Sequence, residues 1–226
     1  MSGQQAKVYR SLAATVNFLA LDRPDIQFPA GVLGRTMARP STRSWANLKK
    51  VGRYLRAHPR VVYKYPPCEL DMARELWTFG DSDWAGCKTT RKSVSGGAIT
   101  LAGGLIKSWS NRQATRALSS GEAEFYASSK AGIETLGVES LMIDMGWPVV
   151  SKKILTDSDA CRGMTARRGL GKVKHIDLRR LWLQEAVQTR GLELGPVEGI
   201  ANPSDPMTKL IPYPSAMLVF ECLNLV

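Results

Sequence analysis

A series of short apolar runs begins at Leu76, and the order of those runs limits the fold more than any other feature of the chain. Leu76 to Gly80, Ser93 to Leu101 and Leu105 to Ser110 have strand length, and Gly103-Gly104 between the last two is a turn signal. Thr115 to Leu118 either extends this hairpin or leads into a helix. Ser119-Ser120-Gly121-Glu122 reads as a capping box, with Ser119 as cap and Glu122 reaching back to it. The spacing predicts a long helix from there to about Met145, with Ala123, Tyr126, Ala127, Ile133, Leu136, Leu141 and Met145 among its apolar positions, stopped by Gly146-Trp147-Pro148. Ile154-Leu155-Thr156 predicts a strand, Asp177 to Thr189 a helix and Leu192 to Val197 a weak strand, and Asn202-Pro203-Ser204 introduces a last short helix. Hairpins followed by alternating units predict an α/β fold, a mixed sheet with helices on its faces.

The chain before residue 76 follows a different rule. Val8, Leu12, Val16 and Leu19 recur at helical spacing until Arg23-Pro24, which predicts a first helix. A short second helix is expected over Ala30 to Met37. Ser41 or Thr42 can cap a third that runs to about Ala57, with Trp45, Leu48, Val51 and Leu55 as its buried stripe. Lys49, Arg53 and Arg56 form another stripe on that helix, rotated away from the first. Pro66-Pro67 and the polar residues after it read as a linker. The expected organisation is a helical segment over 1–67, a linker over 68–75, a mixed domain over 76–210 and a tail over 211–226.

Charge divides along the same line. Residues 1–67 hold twelve Lys/Arg against two Asp/Glu, a net of +10, and residues 68–226 hold nineteen against eighteen, a net of +1. A basic unit beside a near-neutral one fits a polyanionic partner, with nucleic acid the first candidate. No stretch is apolar enough for long enough to predict a membrane span, and residues 1–7 lack the apolar centre of a signal peptide. Cys68, Cys87, Cys161 and Cys222 are scattered, with no C-x-x-C pair and only His58 and His175 to join them, a pattern that argues against structural zinc and for a reducing compartment.

Four carboxylates stand out. Asp81 and Asp157 end two short apolar strands, Glu124 lies in the first turns of the long helix, and Asp205 opens the last helix. Clustered carboxylates suit hard divalent cations such as magnesium. Asp81 and Asp83 share a face of an extended strand, so periodicity alone does not choose between them, nor between Asp157 and Asp159. Glu122 is accounted for by the capping box and Glu124 is not. Glu124 shares its helix face with Ala127, Ser128 and Ala131, side chains small enough to let the helix approach the sheet closely.

Several motifs taken in order resemble the Pol polyproteins of copia-type LTR retrotransposons. Gly80-Asp81-Ser82-Asp83-Trp84-Ala85-Gly86, Arg91-Lys92-Ser93, Ser95-Gly96, Ser108-Trp109-Ser110 and Ala117-Leu118-Ser119-Ser120 through Glu122-Ala123-Glu124-Phe125 are similar to that family's RNase H domain. So are Lys174-His175-Ile176-Asp177 and the closing Ser204-Asp205-Pro206-Met207-Thr208-Lys209. Upstream, Tyr9-Arg10-Ser11-Leu12, Arg23-Pro24-Asp25-Ile26, Arg39-Pro40 and Trp45 through Tyr54-Leu55 resemble the end of the family's reverse transcriptase, its thumb and connection. The polymerase Y-x-D-D motif is absent, so the chain is not expected to polymerise by itself.

The resemblance implies an RNase H-like five-stranded sheet with the first strand between the second and fourth, so that Asp81 and Asp157 end neighbouring parallel strands. It implies that Asp81, Glu124, Asp157 and Asp205 are catalytic and bind Mg2+ or Mn2+, with Asp83 and Asp159 as second choices. The implied activity is hydrolysis of the RNA strand of an RNA–DNA hybrid, with Lys49, Arg53 and Arg56 on the nucleic acid and the rest of the Pol polyprotein as partner. The implied settings are the cytoplasm, a virus-like particle and a nuclear phase. The alternative is an inactive or domesticated module of the same fold that binds nucleic acid without cutting; a transposase or integrase core is a weaker rival, since the motifs do not resemble that group. The chain departs from the family pattern in four places. Ser158 stands where Asn is common, Leu210 where Pro is usual, and Gly195-Pro196-Val197-Glu198-Gly199 where Y-V-P-T is expected; no His lies between the last strand and Asp205. His175 is read as structural.

Overall fold

The structure, a computed structural model, describes residues 1–169 and 181–226, and the Lys174-His175-Ile176-Asp177 motif lies outside the described residues. The chain forms two compact units, residues 1–62 with Val226 and residues 63–225. No helix among the described residues is long and apolar enough to cross a membrane.

The first unit holds α1 (Gly3–Leu19), α2 (Gln27–Gly34) and α3 (Thr42–Ala57). Its core corrects the expected stripe of α1: Val8, Leu12 and Leu19 are exposed, while Tyr9, Ala13 and Val16 are buried. Positions 9, 13 and 16 repeat at i, i+4 and i+7 and positions 8, 12 and 19 at i, i+4 and i+11, both helical spacings, so period alone left the two faces close. Tyr9 settles the rotation, because its hydroxyl donates to the Leu33 carbonyl at 2.9 Å and a ring of that size stabilises most when buried. In α3, Ser41 Oγ accepts from Ser44 N, Leu48 and Val51 are buried, and Trp45 and Leu55 pack beside them as expected. The second helix starts three residues earlier than expected, after a 3-10 turn at Pro24–Ile26.

The second unit is built on one sheet of β1 (Glu75–Asp83), β2 (Val94–Leu101), β3 (Gly104–Arg112), β4 (Ser151–Thr156) and β5 (Leu192–Pro196). Its order is β3-β2-β1-β4-β5, antiparallel across β1, β2 and β3 and parallel across β1, β4 and β5. This is the RNase H-like mixed sheet that the resemblance implied, with β1 between β2 and β4. The tight turn is Ala102-Gly103, both at positive φ, rather than Gly103-Gly104. Gly104 already belongs to β3, where a Cβ would meet the Tyr65 ring at 2.5 Å.

Helix α4 (Ser120–Asp144) covers one face of the sheet. Thr78 and Thr135 share a buried hydrogen bond of 2.6 Å, and a Cβ at Gly80 would lie 3.6 Å from Ala131 Cβ. The small face of Ala127, Ser128 and Ala131 is fully buried, which is the close approach expected of it. Among the described residues, α5 (Asp159–Ala166) and α6 (Trp182–Thr189) follow β4. Helix α5 was not anticipated, although Ser158 caps it by accepting from Cys161 N at 3.1 Å. The four-residue α7 (Asp205–Thr208) packs on the face opposite α4: a Cβ at Gly96, the β2 partner of Asp81, would meet Thr208 and Met207 within 2.8 Å. Helix α8 (Tyr213–Cys222) buries Val219 and Phe220, and Leu223 and Leu225 are buried beyond it.

Candidate active site

Strand β1 runs parallel to β4, with Phe79 opposite Leu155, so the residues just beyond these positions, Asp81 and Asp157, stand side by side at the same end of the sheet. The first turns of α4 bring Glu124 to the same end. One oxygen from each of Asp81, Glu124 and Asp157 lies within 4.8 Å of the others. Asp81 and Glu124 are buried, and Asp157 forms the exposed side of the group.

Each carboxylate is oriented by a neighbour. Ser82 donates to Glu124 Oε1 twice, from its backbone N at 3.1 Å and its hydroxyl at 2.8 Å. Glu124 Oε2 is buried and has no hydrogen-bond partner among the described residues. The Thr208 hydroxyl donates to Asp81 Oδ2. Gly199 closes one side of Asp157: a Cβ there would lie 3.2 Å from Asp157 Oδ2. The loop carrying Gly199 belongs to the segment that departs from the family pattern, and its Ile200 is 96% exposed.

Asp205 is not among the three oxygens within 4.8 Å. It stands next to Asp81 at the start of α7, near enough to raise the Asp81 pKa, and Lys209 Nζ lies 3.0 Å from its Oδ2. Lys49, Arg53 and Arg56 are exposed on α3 of the first unit.

The electrostatics follow from burial and like charge. Desolvation, then the charge of Asp81, pushes Glu124 up to about 8, against the opposing hydrogen bonds of Ser82. Asp81 is raised by desolvation and by Asp205, with Thr208 opposing, and Asp157 is raised by its partial burial and by Asp81. Burial works against the Lys209 ammonium, but Asp205, Asp81 and Asp157 together raise its pKa. A buried oxygen without a donor, in a group of carboxylates that resist ionising together, fits a divalent cation. The donor set is oxygen only, which suits magnesium or manganese better than zinc.

The structure also separates the residue pairs that periodicity left open. Asp83 accepts from Val94 N, and its own carbonyl accepts from Gly86 N at 3.3 Å, so it closes the turn after β1. Gly86 is required there, because a Cβ would collide with the Asp83 carboxylate. Asp159 pairs with Arg162 along α5. Ser119 Oγ accepts from Glu122 N at 3.1 Å as expected, but Glu122 reaches one residue further back than a capping box, accepting from Leu118 N at 2.8 Å and from the Tyr126 hydroxyl. Ser82, Thr208 and Lys209 were not singled out as functional from sequence. The spacing of Thr208 and Lys209, three and four residues after Asp205 on one helical turn, is the signal that could have found them.

No family model matches the chain. It is 30% identical over 213 residues to the retrovirus-related Pol polyprotein from transposon TNT 1-94 of Nicotiana tabacum, an alignment covering 93% of this chain and 16% of that polyprotein. It is 26% identical over 204 residues to the retrovirus-related Pol polyprotein from transposon RE2 of Arabidopsis thaliana, covering 89% and 14%. The chain thus spans less than a fifth of either relative. Among solved structures, LC11-RNase H1 isolated from compost is similar at 14% identity and a TM-score of 0.42, over 60% of this chain and 93% of that one.

Proposed function

We propose that the chain, which is similar over most of its length to Pol polyproteins of copia-type retrotransposons, comes from that family and that its RNase H-like unit is an endonuclease that hydrolyses the RNA strand of RNA–DNA hybrids. The observation that supports the reading is the meeting of Asp81, Glu124 and Asp157, one oxygen of each within 4.8 Å of the others; beside it, Glu124 Oε2 is buried with no hydrogen-bond partner among the described residues. These three would hold magnesium or manganese, with Asp205 at the edge of the group. Such ions, held there, would supply an activated water and charge stabilisation for the leaving oxygen, chemistry that fits hydrolysis to a 3′-hydroxyl and a 5′-phosphate.

The chain's own residues prepare that site. Ser82 fixes Glu124 through Oε1 and leaves Oε2 uncommitted. Thr208 holds one oxygen of Asp81 and Lys209 holds Asp205. Discrimination for the hybrid would come from minor-groove shape and 2′-hydroxyl contacts. Lys49, Arg53 and Arg56 would add backbone contacts whose strength falls with salt.

The test is cleavage of a strand-labelled hybrid in magnesium by wild type and by Asp81→Asn. Wild type should cut the RNA strand and the variant should not; equal cleavage by both would sink the site assignment. Ser158, Leu210 and the Gly195-Pro196-Val197-Glu198-Gly199 segment depart from the family pattern, and that favours one second reading, a binding module of the same fold. Retention of hybrid with no cleavage in magnesium or manganese would decide for it.

A further inference from the structure

From Trp84 to Gly121 the chain has no Asp or Glu but carries Lys88, Arg91, Lys92, Lys107, Arg112 and Arg116. Lys107 pairs with Glu134. No salt bridge among the described residues involves the other five. The near-neutral total of residues 68–226 therefore conceals a local concentration of positive charge.

The fold gathers these five at the carboxylate end of the sheet. Lys88, Arg91 and Lys92 lie on the loop between β1 and β2, Arg112 ends β3 opposite Val94, and Arg116 lies on the loop entering α4. The two loops are tied to each other. Gln113 N donates to the Ser93 carbonyl at 2.8 Å, Arg116 Nε to Thr90 at 2.8 Å, Lys92 Nζ to Ala114 at 2.5 Å and Trp84 Nε1 to Ala117 at 3.1 Å. The Trp84 indole is pinned by its nitrogen, yet the residue is 51% exposed. Arg91 sits at φ 54°, a left-handed conformation that costs a non-glycine residue about 1 kcal/mol or more.

We propose that this paired-loop surface grips the hybrid substrate, with Arg91, Arg112 and the neighbouring cations on backbone phosphates and Trp84 stacked on a base or sugar. Carbonyl acceptors orient Lys92 and Arg116 without neutralising them, so the surface keeps its charge and its shape before any ligand arrives. Guanidinium groups match phosphate geometry, and an exposed ring beside them supplies the sequence-independent contact that nucleic-acid grooves use. The identity of the ligand as a hybrid rests on the nuclease reading; the surface itself does not.

The experiment measures binding by the full chain carrying Asp81→Asn, in chelator, with a fluorescein-labelled RNA–DNA hybrid across a salt series. Adding Arg91→Gln and Arg112→Gln, whose side chains make no hydrogen bond or ion pair among the described residues, should flatten the slope of log affinity against log salt by about 2, near 0.9 per lost phosphate contact. Trp84→Leu should lower affinity about tenfold and leave the slope unchanged. An unchanged slope in the Arg91/Arg112 variant, or no salt-dependent binding at all, overturns the proposal. If wild type does not cut but the slope flattens, the nuclease reading falls and this surface stands. If wild type cuts and the slope does not move, the surface falls alone.

Discussion

Replacing Glu124 by Gln removes a charge from a place where the fold resists it, so without metal the variant should be the more stable protein at high pH. In the folded chain the carboxyl is pushed up to about 8 from an ordinary 4.5. The folded state thus holds a proton that the unfolded state releases, and stability falls as pH rises between the two values. The contribution of this group is fully present below pH 4.5 and lost as pH passes through about 8. At about 1.36 kcal/mol per pKa unit the loss reaches about 5 kcal/mol, comparable with the whole stability of a marginal domain. Gln keeps an oxygen for the two Ser82 donors and offers an amide to the carboxylates where Oε2 stood, so Glu124→Gln escapes the loss. The assay is urea unfolding in chelator, followed by tryptophan fluorescence, since Trp77, Trp84, Trp109, Trp147 and Trp182 all lie in the second unit. The gap between Glu124→Gln and wild type should widen by several kcal/mol from about pH 4 to about pH 9. Magnesium should close much of it by stabilising wild type alone. A gap that stays constant across pH, or a variant that is less stable at the alkaline end, refutes the reasoning that burial and like charge govern this carboxyl.

Lys209→Met removes the cation nearest Asp205; the metal-free chain should melt lower at neutral pH, and magnesium should bind more tightly by titration calorimetry because no ammonium competes for the carboxylates. Gly96→Ala should lower stability by about 1–3 kcal/mol through overpacking, because the new Cβ would press on Thr208 and Met207, and it should weaken magnesium binding by shifting α7. Ser119→Ala should cost about 1 kcal/mol in chemical denaturation by leaving Glu122 N without its cap, with little change in metal affinity.

The sheet was legible because its strands are short apolar runs with turn signals between them, and because hairpins followed by alternating units admit few arrangements. The cap of α4 and the stripe of α3 were legible for the same local reason. Three features were not. The rotation of α1 depended on Tyr9, whose hydroxyl donates to the Leu33 carbonyl 24 residues away and shares a hydrogen bond with the Thr36 hydroxyl 27 residues away. Helix α5, Asp159–Ala166, is eight residues long, too short for its apolar spacing to stand out from a loop after the strand. The basic surface at the paired loops was hidden because summing charge over residues 68–226 cancels cations against acids that the fold places elsewhere.

The carboxylates themselves show a division of labour that only the folded chain reveals. They come in pairs two residues apart: Asp81 with Asp83, Glu122 with Glu124, Asp157 with Asp159. In each pair one member meets a local need of the fold. Asp83 accepts from Val94 N, Glu122 from Leu118 N and Asp159 from Arg162. Once those needs are met, Asp81, Glu124 and Asp157 have no comparable task in their own segments, yet β1, β4 and α4 bring them within 4.8 Å of each other. Each of the three has its pKa raised there, so the arrangement opposes folding unless something positive offsets it. A chain selected for stability alone would have neutral side chains at those three positions. Keeping the charge on the members with no structural duty is the strongest physical argument that these three carboxylates suit a cation, as the proposed nuclease reading requires.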